Sequence, residues 1–206
     1  MYLLEHFKTK DPARCFALIE DYPFAALITM SDGIPFVSHL PFLLERPGAV
    51  PGKLLGHMAH ANTQWRHFAA GDDVLLVFQG PHAYVSPAWY TSPGVPTWNY
   101  AVVHVRGKPR LIEDEAELEA LLERLTHVHE SRLPEPWQPV LSGERRTKLL
   151  GMIVGFEIEI TDIQGKFKLS QNRPPEDRQR VCDELRQSNN QTENAIARLM
   201  SEINDL

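Results

Sequence analysis

The chain has 206 residues, 43% of them hydrophobic, and a formal charge of -6. That length buries a real core and suits one large domain better than two. The acidic balance repels a phosphate backbone, so nucleic-acid contact would need a local basic patch.

Asp11 followed by Pro12 supplies a capping side chain and then a residue with no amide to satisfy. This predicts a helix to about Asp21, with Phe16, Leu18 and Ile19 on its apolar side. FAALITM, a Ser31-Asp32-Gly33 turn and IPFVSHLPFLL then read as a β-hairpin. Arg46 to Gly52 predicts an exposed loop before a third strand, KLLGHMA, and Asn62 caps a short helix through Phe68. After a turn at Ala70-Gly71-Asp72, the run DVLLVFQG is apolar on both faces, as a buried barrel strand is. A long strand, TWNYAVVHVRGKPRLI, follows a loop. Leu118, Leu121, Leu122, Leu125 and Val128 recur at helical spacing and predict an amphipathic helix between Glu113 and Glu130. A short helix from Ser142 comes next, then two strands from Val154 to Leu169 divided by a turn at Gln164-Gly165. Beyond Pro174 two helices are expected, parted near Asn189-Asn190, with Asn190 and Glu193 as a capping pair. About seven strands without regular βα alternation make a mainly β protein, a β-barrel with peripheral helices.

Cys15 and Cys182 sit in helix-like sequence, with no second pair at metal or redox spacing, and read as reduced, buried thiols. The opening MYLLEHFKTKDP lacks a basic stretch followed by an apolar core, and no run approaches the ~18 apolar residues of a membrane span. A cytoplasmic protein with no membrane contact is expected. Phe78 to Tyr100 is crowded with His82, Tyr84, Trp89, Tyr90 and Trp98 among prolines and glycines, more than a plain hairpin needs. Aromatic rings give rigid flat surfaces, proline orders a loop before binding, and Asn99 offers donors and acceptors to a heterocycle edge. The segment therefore suits a planar ligand, although the same rings would also fill a core or a dimer interface. Ser38-His39, GHMAHANTQW and KLSQNR (Lys168 to Arg173) add donors and positive charge of the kind that binds phosphate. Metal binding is disfavoured, because His57 and His60 would face opposite sides of a strand and His127 and His129 are not helical neighbours. No nucleophile elbow, P-loop or Rossmann glycine pattern occurs.

Six motifs carry a family resemblance: MY-x-x-x-x-F at Met1 to Phe7, SHLPF at Ser38 to Phe42, GHMAHAN at Gly56 to Asn62, FQGPHAYVSPAWY at Phe78 to Tyr90, VPTWNY at Val95 to Tyr100, and KLSQNR. With these the chain resembles, over nearly its whole length, the PaiB-like negative transcriptional regulators, which have the FMN-binding split-barrel fold of pyridoxamine phosphate oxidases. It departs from the family pattern at Leu4 and Thr63, where proline is usual, and at His60, where arginine is usual. If that arginine contacts the flavin phosphate, His60 supplies a charge only when protonated, which weakens the flavin's hold. The resemblance implies a domain over 1–172 with a helical extension at 173–206, and a homodimer with FMN between protomers. Ser38, His39, His60 and Asn62 are then expected at the phosphate and ribityl side. Trp98, Asn99, Ser170, Gln171 and Asn172 are expected at ring edges or on the second protomer.

Three functions follow from the resemblance and the residues together. One is a flavin-binding repressor of target genes, such as those for degradative enzymes or sporulation. Direct DNA contact stays open, since there is no helix-turn-helix and Arg145-Arg146-Lys148 and Arg173 to Arg180 resemble ordinary solvated faces. Another is a flavin oxidoreductase in which Tyr84, Tyr90 or His82 exchanges protons near the ring. The third is a non-catalytic sensor that meets a protein partner through its acidic tail helices.

Overall fold

The computed structural model describes residues 1–46, 52–137, 143–204 and 206. Asp11 Oδ1 accepts the Ala13 amide at 2.9 Å and Pro12 takes the first helical position. Helix α1 (Pro12–Asp21) accordingly starts there and buries Cys15, Leu18 and Ile19, with Phe16 half-buried. Strands β1 (Phe24–Ser31) and β2 (Ile34–Pro41) form the expected hairpin, closed by Asp32 and Gly33. Both turn residues have positive φ, 52° and 78°, the turn geometry that Asp-Gly favours because its twist matches the flanking strands.

Beyond Pro41 the expected second strand divides. Phe42 gives its amide to Pro23 O at 2.9 Å, and β3 (Leu43–Glu45) pairs with β4 (Lys53–Ala59). Most of the loop expected from Arg46 to Gly52 lies outside the described residues. Asn62 Oδ1 accepts the Gln64 amide at 3.1 Å and starts a 3-10 helix, Thr63–Ala70, which ends at left-handed Gly71.

Strand β5 (Val74–Val85) differs from expectation in two ways. It is not buried on both faces throughout: Val74, Leu76 and Phe78 are buried and Leu75 and Val77 half-buried, but Gln79 is exposed, and beyond buried Gly80 and Pro81 buried Ala83 and Val85 alternate with exposed His82 and Tyr84. It also runs well into the aromatic segment, because the alternation, interrupted at buried Gly80 and Pro81, resumes beyond them and continues to Val85. The connection to β6 (Thr97–Ile112) is thus only residues 86–96, with a 3-10 turn at Pro87–Trp89.

Helix α2 (Glu115–Glu130) is capped by Asp114 and buries Leu118, Leu121 and Leu125. Helix α3 spans Gly143–Leu150; its expected start at Ser142 lies outside the described residues. The two strands expected between Val154 and Leu169 are instead one continuous strand, β7 (Ile153–Lys168). Gly165 does not turn the chain. A Cβ there would lie 2.5 Å from Cys15 Sγ and 2.6 Å from Thr9 Cγ2, so glycine marks a close approach to a strand. Helices α4 (Pro175–Arg186) and α5 (Gln191–Asn204) complete the chain. Asn190 caps α5 through the Thr192 amide at 2.9 Å.

The sheet order is β2-β1-β5-β6-β7-β4-β3. The chain divides into two compact units. One comprises Met1–Tyr22, Val77–His104 and Ile163–Leu206, the other Pro23–Leu76 and Val105–Asp162. In the first, Phe78, Val181, Cys182, Leu185, Ile196 and Met200 are buried; Leu18 sits against Gly80, where a Cβ would be 2.9 Å from Leu18 Cδ1. In the second, Phe156 is flanked by Phe42 and Phe68, and Leu55, Leu118, Leu121, Leu125 and Leu150 form a cluster. Gly107 of β6 shows how tightly this second unit is built. Its Cβ would meet Glu159 O at 2.3 Å and Ile158 Cγ2 at 2.5 Å. Gly107→Ala is expected to destabilise the fold by about 1–3 kcal/mol, because backbone cannot yield as a side-chain tip can. An unchanged melting temperature would contradict that packing.

Candidate functional site

The expected binding residues fall into two groups, one in each compact unit. In the unit containing β2 and β4, Asn62 Nδ2 donates to Ser38 Oγ at 2.8 Å, so the hairpin and the start of the 3-10 helix are tied together. Gln64 is fully buried beside them. Its Nε2 donates to Leu27 O, Thr29 Oγ1 and Phe36 O, whereas its Oε1 has no partner among the described residues. His60 follows β4, is exposed, and lies against Trp65, whose Nε1 donates to His60 O at 3.1 Å. His39 is exposed and stacks on Phe24 at 6.2 Å between centroids. His57 stands apart in character: burial holds its imidazole below its ordinary pKa, so it supplies no positive charge to an anion at neutral pH.

In the other unit, Asn99 of β6 is completely buried. Its Nδ2 donates to Ser170 Oγ at 3.0 Å and to Met200 Sδ at 3.4 Å. Ser170, with φ of 66°, forms a tight turn after β7. Gln171 spends its amide closing that turn, accepting from Leu169 N at 2.7 Å and donating to Phe167 O at 2.5 Å. Trp98 and Asn172 are the exposed members of this group. Trp98 lies between His82 and Tyr84, with centroid distances of 5.9 and 6.0 Å.

Asp177 was not legible in the sequence as a site residue. It is buried near the start of α4, and its carboxylate accepts the Thr91 and Ser92 amides and both their hydroxyls. Those bonds, led by the one from the Ser92 hydroxyl, pull its pKa down to about 2. Arg173 fastens the same loop, donating to Pro93 O at 3.0 Å and lying 4.2 Å over the Tyr90 ring. About 85 residues separate the partners, a range at which local pattern carries no signal.

Several basic side chains considered for nucleic acid are already engaged. Arg146 binds Glu115 and Glu119, Arg173 donates to Pro93 O, and Arg178 donates to Asn204. Among the described residues, no group of three His, Cys, Asp or Glu could hold a metal ion, and no helix is long and apolar enough to cross a membrane.

Residues 1–162 match a family described as "Putative FMN-binding domain". Protease synthase and sporulation protein PAI 2 of Bacillus subtilis (strain 168) is 37% identical over 206 residues, spanning 98% of this chain and 97% of that protein. An uncharacterized protein of Emericella nidulans is 32% identical over 230 residues, with 92% of each chain covered. Among solved structures, the flavocytochrome Anf3 from Azotobacter vinelandii matches with a TM-score of 0.59 at 21% identity, over 78% of this chain and 69% of that one. An FAD and heme binding protein from Mycobacterium smegmatis gives 0.57 at 18%, over 79% and 73%. Likeness at those identities speaks for the fold alone. The fold is the mainly β split barrel with peripheral helices that the motifs implied, and the chain belongs to the PaiB-like FMN-binding domain family.

Proposed function

We propose that this protein is a flavin-binding negative regulator of gene expression that holds FMN as a homodimer. The observation that carries the reading is the near full-length likeness to PAI 2, joined to a family match over residues 1–162. The residues suit the group. Ser38, Asn62 and the exposed His60 are polar groups of the kind a phosphate needs. Among the described residues Gln64 Oε1 is a buried acceptor without a donor, which a ribityl hydroxyl would supply. His39 belongs to the same side of the proposal.

The other expected group, exposed Trp98 and Asn172 with Asn99, Ser170 and Gln171 behind them, would serve a ring edge or the second protomer. FMN, when bound, supplies one- and two-electron chemistry; the chain binds and orients it. In the same reading residues 1–172 are the flavin-binding domain and 173–206 a helical extension, in a cytoplasmic protein. A second copy suits β2, which ends the sheet order and exposes Ile34 at 69% and Val37 at 47%. An apolar edge strand of this kind calls for cover.

The test is a visible spectrum of the purified protein titrated with FMN, alongside its mass in solution. No flavin binding at micromolar protein, or a monomer, would count against the reading. Regulation is tested separately, by comparing transcripts in cells with and without the gene. His60→Arg restores the charge usual at that position. It is expected to tighten FMN binding about tenfold, because a guanidinium offers a phosphate a permanent charge and paired donors. An unchanged affinity would remove His60 from the phosphate side.

A second reading is favoured by His82 and Tyr84, two proton-exchanging groups exposed on either side of Trp98. It makes the protein a flavin oxidoreductase. Oxidation of a nicotinamide donor by the FMN-loaded protein would support it.

A further inference from the structure

The outward face of β5, β6 and β7 in the first compact unit has an unusual composition. On β5, His82 and Tyr84 share a side, as do Trp98 and Tyr100 on β6 and Lys166 and Lys168 on β7, by the two-residue period of a strand. Trp98 is 53% exposed and Tyr84 42%, so a stacking platform stands open to solvent. The cations around it are matched only with neutral groups. Lys168 Nζ donates to Thr97 Oγ1 at 2.7 Å and to Trp98 O at 2.5 Å. Lys166 donates to Tyr2 O and lies over the Tyr2 and Tyr100 rings. Among the described residues, neither lysine nor Arg173 forms an ion pair with a carboxylate.

We infer that this face binds a planar anionic compound in addition to the flavin, its ring stacked on Trp98 between His82 and Tyr84, its anionic group beside Lys168, and only an edge of Trp98 left to the flavin. An ammonium has three donors, and Lys168 uses two, so one remains for the ligand. Desolvation, with the positive charges of Lys166 and Arg173, holds the pKa of Lys168 below its ordinary value. An anion would relieve that repulsion, whereas a neutral ring would gain only the stacking. Within the second reading this compound is the co-substrate of the flavin; within the first it is an effector.

The probes are naphthalene-2-sulfonate and its neutral isostere naphthalene-2-sulfonamide, titrated calorimetrically into the protein with and without saturating FMN. The sulfonate is expected to bind at least about tenfold more tightly, with the advantage shrinking at high salt. Trp98→Ala should weaken both probes about tenfold or more. Lys168→Gln should weaken the sulfonate alone, and Lys168→Arg should restore it, with melting curves confirming that each variant folds. Equal affinity for the two probes, or an unaffected Trp98→Ala, overturns the inference. So does loss of sulfonate binding on FMN saturation, because the face would then be the flavin's own seat. FMN binding is read independently from its visible band. A protein that takes FMN but not the sulfonate sinks this inference alone, and one that takes the sulfonate but not FMN sinks the flavin reading alone.

Discussion

Replacing Phe156 by alanine is expected to cost about 3–5 kcal/mol, the range for removing a buried aromatic ring. That is a large share of the roughly 5–15 kcal/mol by which a domain is stable. Phe156 has no exposed surface and meets Phe42 and Phe68 edge-on, at 6.1 and 5.2 Å between centroids. The space opposite is kept free by Gly56, where a Cβ would lie 3.0 Å from Phe156 Cζ and 3.2 Å from Phe42. A cavity left there is walled by β4 at Gly56 and by the buried rings of Phe42 and Phe68, so it cannot collapse cheaply. In urea the midpoint should fall while the slope of the transition stays the same. Phe156→Leu should recover most of the loss. A change below ~1 kcal/mol for alanine would mean that this cluster does not organise its compact unit.

Asp177→Asn is expected to lower the melting temperature at neutral pH and to flatten its fall in acid. The carboxylate accepts four bonds from Thr91 and Ser92 and lies in the first turn of α4, where the helix dipole also favours negative charge. An amide oxygen accepts more weakly, and the amide nitrogen would face donors. The pKa of Asp177 is lowered in the folded protein from 3.8 to about 2. Its contribution is therefore complete above about pH 4 and is lost as pH falls toward 2. Melting curves of the two proteins should be far apart at pH 7 and converge through that window. A constant gap down to pH 2 would assign the effect to shape instead of charge. Because the carboxylate fixes the connection at residues 86–96, the variant should also expose that loop to proteolysis.

The resemblance and the residue pattern made much of this fold legible, for identifiable reasons. The leucine spacing of α2 and the Asp11-Pro12 start of α1 are local features, and the elements follow them. The long β6 matches its expected bounds because its apolar and β-branched run has no competing signal. Gln164-Gly165 misled because glycine after a polar residue ordinarily marks a turn. Here Gly165 makes room for Cys15 and Thr9, which come from the far end of the chain. Likewise the aromatic segment read as one loop, since Gly80 and Pro81 interrupt the alternation that resumes beyond them to Val85.

The candidate site divides in the same way. Sequence motifs picked out Ser38 and Asn62, and a direct hydrogen bond joins them. Motifs also picked out Asn99, Ser170 and Gln171, but composition could not reveal that the first two face one another in the interior and that Gln171 closes its own turn. Gln64, Asp177 and Lys166 gain their significance from partners distant in sequence.

By itself the sequence determined the family, the sheet-dominated class, the helix caps and the residue types available to a flavin, because these depend on local pattern and on motifs that need no partner. Tertiary structure alone decided which polar side chains serve the interior and which stay open: the buried Asn99 against the exposed Trp98, and the carboxylate of Asp177 spent on a loop. The physical reason is that a polar group's role is set by what satisfies its hydrogen bonds and charge, and folding supplies those partners from far along the chain.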